Sequence, residues 1–156
     1  MNAIELLKED HQKITKLIKE LETADDQTGT NPTDTETFNR LHQTLKMHTR
    51  IEEEVFYPMV ERFEESQHLI EESYREHHEA DQLLERLETI APKTEEFQLA
   101  LAELRDSVEY HIEKEEDKIF PMMEKGCKKE ELNGMGRRME EIKNNSQIIA
   151  ATMRQH

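Results

Sequence analysis

The chain has no tryptophan, three tyrosines, a single cysteine, and only four glycines and four prolines in 156 residues. One cysteine, Cys127, excludes an intrachain disulfide and fits a reducing compartment. Scarce glycine and proline leave little of the punctuation that closely spaced strands need, so the composition is that of helices joined by few loops. Basic residues are in deficit, 21 against 36 acidic, for a formal net charge of −15. That surplus makes nucleic acid and anionic membrane poor partners. No apolar run approaches a membrane span, and residues 1–5 show neither a basic nor an apolar leader region. A single-domain cytoplasmic protein is the expectation. Hydrophobic residues reach only 34% beside 37% charged, a balance that reads as disorder when the apolar residues are scattered. Here they recur at helical spacing.

What the chain does have is a repeat. His111 is followed by Glu115 and Glu116, then by Phe120-Pro121-Met122. Sixty-three positions earlier His48 is followed by Glu52 and Glu53, then by Tyr57-Pro58-Met59. On a helix, i and i+4 lie on one face, one turn apart, so an imidazole and a carboxylate so spaced can reach one metal ion. A second match relates His11 to His77. His11 is followed at i+3, i+6, i+7 and i+10 by Ile14, Leu17, Ile18 and Leu21, and His77 by Ala80, Leu83, Leu84 and Leu87. This selects His77 over His78, which would point about 100° away. The chain reads as a duplicated helical hairpin.

The apolar stripes define the helices. The first runs Ile4, Leu7, His11, Ile14, Ile18, Leu21, with Asn2 and Glu5 spaced as a capping box. A loop is expected from Glu22 to Thr33, then Asp34 as cap of a second helix striped Phe38, Leu41, Leu45, His48, Glu52, Val55, Met59. Pro58 should kink this helix or end it near Phe56, with one more turn to Phe63. A third helix, from near Ser66 to Pro92, carries Ile70, Ser73, His77, Ala80, Leu84 and Leu87. Thr94 is placed to cap the fourth, striped Phe97, Leu101, Leu104, Val108, His111, Glu115, Lys118 or Ile119, and Met122, with Gly126 past its end. A shorter fifth helix is expected from about Lys129 to Asn144, weakened by Gly134 and Gly136, with a loose tail from Ser146. The predicted fold is all-α. It is an up-down-up-down four-helix bundle over residues 1–125, with the fifth helix and tail, 126–156, in the same domain.

Each of four seams carries one His near its middle, and two add a Glu one turn later. Burying four imidazoles and two carboxylates in an apolar core is costly unless they are paired or bind metal, and metal is the simplest compensation. The candidate ligands are His11, His48, Glu52, His77, His111 and Glu115. Four nitrogens and two carboxylates suit a pair of first-row metals, and iron or manganese fit a carboxylate-bearing bundle. If both Glu residues bridge and an oxo or hydroxo joins them, one octahedral position per metal stays open, where O₂, peroxide or NO can bind.

Blander readings compete at each position. A single His on an apolar face is usually a satisfied core residue, and Glu52 alone would pass for part of a solvated Glu52-Glu53-Glu54 run. Four interrupted seams with two identical His-x-x-x-Glu pairs outweigh that. His42, His68 and His156 read as surface; Met47, Met122, Met123, Met135 and Met139 read as packing residues. Nothing in the sequence activates Cys127. Tyr57 can reach the site as a donor, although its counterpart Phe120 makes packing the commoner explanation. Asp81, at i+4 from His77, is either a seventh polar group near the metals or a residue at the rim.

Asp10-His11, His48-x-x-x-Glu52, Glu76-His77 and His111-x-x-x-Glu115, with the Phe-Tyr-Pro and Ile-Phe-Pro endings, resemble the hemerythrin-like (HHE cation-binding) domains over roughly residues 1–125. The resemblance implies a non-haem centre of two iron ions, oxo- or hydroxo-bridged, ahead of manganese or zinc, with the same six residues as ligands. It also marks a departure. Oxygen-carrying hemerythrins have a second His one turn after the first on the third helix, where this chain has Asp81. Their fourth-helix carboxylate is an Asp five residues after the His, where this chain has Glu116 behind Glu115. Four His and two Glu look more like the family's iron-handling, NO- or peroxide-reactive and cluster-repair members, the last being expected to carry an extra Cys-rich domain. The expected function is to react with or sense O₂, peroxide or NO as a small-molecule ligand. The alternative is iron storage, delivery or reversible oxygen binding without turnover. A third reading, a structural bundle whose polar seam binds zinc or nothing, is disfavoured by the symmetric ligand set.

Overall fold

The computed structural model describes residues 1–23 and 32–154. Five long helices run in chain order: α1 (Ala3–Thr23), α2 (Pro32–Ile51), α3 (Gln67–Thr89), α4 (Glu95–Lys114) and α5 (Lys129–Arg154). No strand occurs among the described residues. α1 packs against α2 and α4, and α3 against α4 and α2, so two antiparallel hairpins close into a four-helix bundle. α5 lies outside, against α1 and α2. Among these residues no helix is long and apolar enough to cross a membrane.

The helix starts follow from their caps. The Glu5 amide donates to Asn2 Oδ1 at 2.9 Å while the Asn2 amide donates to Glu5 Oε1 at 3.3 Å, the reciprocal pair expected at α1. Thr94 Oγ1 accepts from the Phe97 amide at 3.1 Å and starts α4. α2 begins at Pro32, so Asp34 lies within the helix rather than before it; its side chain and residues 24–31 of the expected loop are outside the described residues.

Proline acts differently from the simple kink expected of it. After Ile51 the backbone widens into a π-helical turn, Glu52–Phe56, then resumes as α-helix at Tyr57–Val60. α4 does the same through Glu115–Ile119 and Phe120–Gly126. In each case the amide five residues on bonds the carbonyl of the candidate ligand Glu: Tyr57 to Glu52, Phe120 to Glu115. Pro58 and Pro121 sit just beyond, where an ordinary turn would clash with the carbonyl four residues back and lose its bond. The wide turn places Ile119 rather than Lys118 in the core.

The fifth helix runs ten residues past its expected end, to Arg154, so the predicted loose tail from Ser146 is helical as far as it is described. Leu132, Met135 and Met139 are buried against Ala3, Ile4, Leu6 and Leu7. Gly136 does not break the helix, because its missing side chain is where the N-terminal strand of backbone crosses: a Cβ there would strike the Met1 carbonyl. The apolar interior is in two parts. One, with Leu7, Ile51, Phe56, Tyr57, Ile119 and Phe120, lies toward α5; the other, with Ile14, Leu41, Leu45, Leu84, Leu101 and Leu104, fills the bundle on the loop side. A polar layer divides them.

Candidate metal centre

All six sequence-predicted ligands lie in that layer, and all are buried: His11, His48, Glu52, His77, His111 and Glu115. Glu52 and Glu115 are wholly inaccessible. Their atoms fall into two groups with ligand spacing, His11, His48, Glu52 and Glu115 in one, and Glu52, His77 and His111 in the other. Each hairpin supplies the two imidazoles of one group. Every Nε2 faces the carboxylates: His11 lies 3.0 Å from Glu115 Oε1, His77 3.0 Å from Glu52 Oε1, and His48 3.3 Å from the same oxygen. His111 reaches Glu115 Oε2 at 3.2 Å and Glu52 Oε1 at 3.3 Å. Glu115 thus turns one oxygen toward each hairpin.

The outward nitrogens are held just as systematically, which the sequence reading did not anticipate. His11 Nδ1 meets Glu116 Oε2 at 2.7 Å and His77 Nδ1 meets Glu53 Oε2 at 2.7 Å. His48 Nδ1 meets Asp10 Oδ2 at 3.1 Å and His111 Nδ1 meets Glu76 Oε1 at 2.7 Å. The acid after each ligand Glu crosses to the other hairpin, and the acid before the odd-numbered helices' His stays within its own. Two lysines complete the ring: Lys143 of α5 donates to Asp10 Oδ1 and Lys114 to Glu76 Oε1, both at 2.6 Å. Such carboxylates fix the imidazole orientation and raise its basicity as a ligand. Asp10→Asn is therefore expected to weaken metal binding about 10- to 100-fold, by competition against a chromophoric chelator. An unaltered affinity would reduce Asp10 to a packing role.

For Tyr57 the sequence offers two places, donor at the site or packing residue, and the structure makes it a donor. Five residues of α-helix advance about 500°, which would leave it roughly 140° off the Glu52 face. The π-helical turn brings it back above Glu52. Its buried hydroxyl donates to Glu115 Oε2 at 2.8 Å, with Glu52 Oε1 and His77 Nε2 each at 3.1 Å. Phe120 occupies the matching place, stacked on His11 with centroids 5.8 Å apart. Asp81 belongs to the rim: its side chain is 38% exposed and pairs with Lys46 at 3.1 Å.

Charge in this layer is tightly balanced. Burial opposes protonation of His77, but Glu52 and Glu53 lift its pKa to about 9. His111 is likewise raised well above its usual value, against burial, by Glu115. Burial favours the neutral form of Glu115, yet His111 and its other partners hold it well below the usual carboxylate range. Burial, then the two glutamates, push the Tyr57 phenol well above its ordinary value. Without metal, protonated His77 and His111 are cations that face these carboxylates. A histidine raised on folding stabilises fully below its unfolded pKa, near 6.5, and ceases to do so as pH passes its folded value. The metal-free protein is therefore expected to lose thermal stability as pH rises from 6.5 to about 9. A flat Tm across that window, at fixed ionic strength, would remove the argument.

The donor set also suits a metal. His48 Nε2 and Glu52 Oε2 are buried without a hydrogen-bond partner, in the group where a cation would satisfy both. Between the imidazoles and the loop-side core is a cavity of about 20 Å³ touched by all four histidines and by Ile14, Leu45, Ala80 and Val108.

The geometry and the bundle together define a helical cation-binding module. Residues 2–123 match the model of the hemerythrin HHE cation binding domain, and the chain belongs to that family. Among curated proteins it is similar to a DNA nickase of Nostoc, 32% identical over 120 residues, covering 77% of this chain and 33% of that protein. An uncharacterized hemerythrin-like protein of Schizosaccharomyces pombe is 29% identical over 136 residues, covering 86% of this chain and 65% of the relative. The chain thus spans from a third to just under two thirds of these relatives' length. Among solved structures, a hemerythrin HHE cation binding domain-containing protein from Mycobacterium kansasii superposes with a TM-score of 0.78 at 24% identity, over 95% of this chain and 91% of that one. At that identity the likeness is one of fold.

Proposed function

We propose that the chain holds two iron ions between its hairpins, with His11, His48, Glu52, His77, His111 and Glu115 as ligands, and reacts with peroxide, O₂ or NO there. The observation that carries this is the position of the two buried glutamates, Glu52 common to both groups and Glu115 turning one oxygen to His11 and the other to His111. Iron bound there would supply open coordination positions and one-electron redox steps. The chain's own contribution is to orient the imidazoles through their outer carboxylates and to exclude water with an apolar layer on either side. The cavity beside the histidines admits a molecule of very few atoms, which favours a diatomic or peroxide over an organic substrate. Tyr57 holds a proton against both carboxylates on the opposite side. Release of iron to a carrier would require Glu52 and Glu115 to leave full burial, so we favour a retained centre over storage or delivery. Nickase activity is not carried over from the Nostoc relative, since the acidic surface opposes nucleic acid. A reducing, cytoplasmic setting suits the free Cys127.

The test is metal content and optical spectrum after aerobic purification from iron-supplemented cells, followed by titration with peroxide and NO. Two irons per chain with near-ultraviolet charge-transfer bands that respond to either reagent are expected. Zinc, or no metal, overturns the reading.

A further inference from the structure

The two halves of the bundle match around the centre but depart from each other on one side. Tyr57 corresponds to Phe120, and Tyr74, three residues before His77, corresponds to Lys8, three before His11. These two departures touch. The fully buried Tyr57 ring meets the 36% exposed Tyr74 ring with centroids 5.4 Å apart at 75°. Tyr57 in turn stacks on His77 at 5.4 Å and sets its hydroxyl on Glu115 and Glu52. A continuous aromatic contact therefore runs from solvent to the carboxylates of the centre. In the other half Phe120 ends against His11 and Phe56, without a hydroxyl.

Phenols matter here because their oxidation is eased by a carboxylate that takes the proton as the electron leaves; a phenylalanine ring has no such proton. The chain contains no tryptophan and three tyrosines, and two of the three make this contact. Tyr57 has its acceptor in Glu115, at 2.8 Å, and the 36% exposed Tyr74 can give its proton to solvent. The third, Tyr110, stands apart, 56% exposed and bonded to Glu72 at 2.7 Å.

We propose that Tyr74 and Tyr57 form an electron-entry route from small one-electron reductants in solution to the metal centre. The inference rests on the peroxide-reactive reading above. Tyr57 gives one electron inward and its proton to Glu115. Tyr74 then passes one electron to Tyr57, which recovers its proton from Glu115, while the proton of the exposed Tyr74 leaves to solvent. A donor of the ascorbate class returns one electron to Tyr74, which takes a proton back from solvent. Two passages deliver two electrons, and with the two protons released by two donor molecules they convert one H₂O₂ to two H₂O.

The experiment compares wild type, Tyr74→Phe, Tyr57→Phe and Tyr110→Phe, each loaded with ferrous iron to equal metal content. Peroxide consumption, peroxide-dependent ascorbate oxidation, and the tyrosyl radical trapped by freezing without ascorbate are read together. Ring-deuterated tyrosine identifies the radical by narrowing its resonance. Wild type and Tyr110→Phe are expected to show the radical and to oxidise ascorbate; Tyr74→Phe and Tyr57→Phe are expected to lose ascorbate oxidation while binding iron. Tyr74→Phe that matches wild type in both radical yield and ascorbate oxidation overturns the route and leaves the peroxide reading standing. Iron-loaded wild type that leaves peroxide unreacted overturns that reading and the route with it.

Discussion

Glu52→Gln is expected to abolish the proposed two-iron site while leaving the bundle folded. Glu52 Oε1 lies within 3.3 Å of an imidazole nitrogen on each of α2, α3 and α4, and 3.1 Å from the Tyr57 hydroxyl. Glutamine keeps the volume but removes the negative charge that both metal groups share. Iron content should fall from two per chain to one or none after identical loading, with the charge-transfer bands lost in proportion. The metal-free variant should keep its helical signal, since every histidine Nδ1 retains its outer carboxylate. Wild-type iron content in the variant would refute Glu52 as a shared ligand.

Stripping the metal is the second large effect. A ligand held by the folded state alone stabilises it by about 4 kcal/mol at a thousand times its dissociation constant. For a chain of this size each kcal/mol moves Tm by roughly 2–4 °C, so chelation should lower Tm by about 10 °C or more. The loss should be greater at pH 9 than at pH 6.5. At the lower pH the protonated His77, with its pKa lifted to about 9 by Glu52 and Glu53, partly replaces the missing cation. Differential scanning calorimetry of loaded and stripped protein at both values checks this. Equal loss at both would mean that imidazole protonation does not compensate.

The four-helix frame and the six-residue layer were legible because α-periodicity holds without interruption from Phe38 to Glu52 and from Phe97 to Glu115. Legibility fails where that period fails. Tyr57 lies just past one wide turn and Ile119 is the last residue of the other, and a reading at 100° per residue puts Tyr57 on the wrong face. The outer carboxylates were visible as letters, an acid before His11 and His77 and another after Glu52 and Glu115. Their role was not visible, since it depends on which neighbouring helix each side chain reaches. Lys143 falls within the expected fifth helix, but its role depends on that helix packing beside Asp10 of α1, which no local pattern gives. Gly136 is required by the crossing of the N-terminus, which no local pattern announces.

The paired wide turns carry a historical implication. Each is one residue more than an ordinary helix needs, and each begins at the ligand glutamate of its half. An insertion found at the same register in both copies is most simply one event, older than the doubling of the chain. The ancestor was then a single hairpin bearing two histidines, one glutamate and the inserted residue, and two such hairpins placed back to back would already have enclosed the same layer.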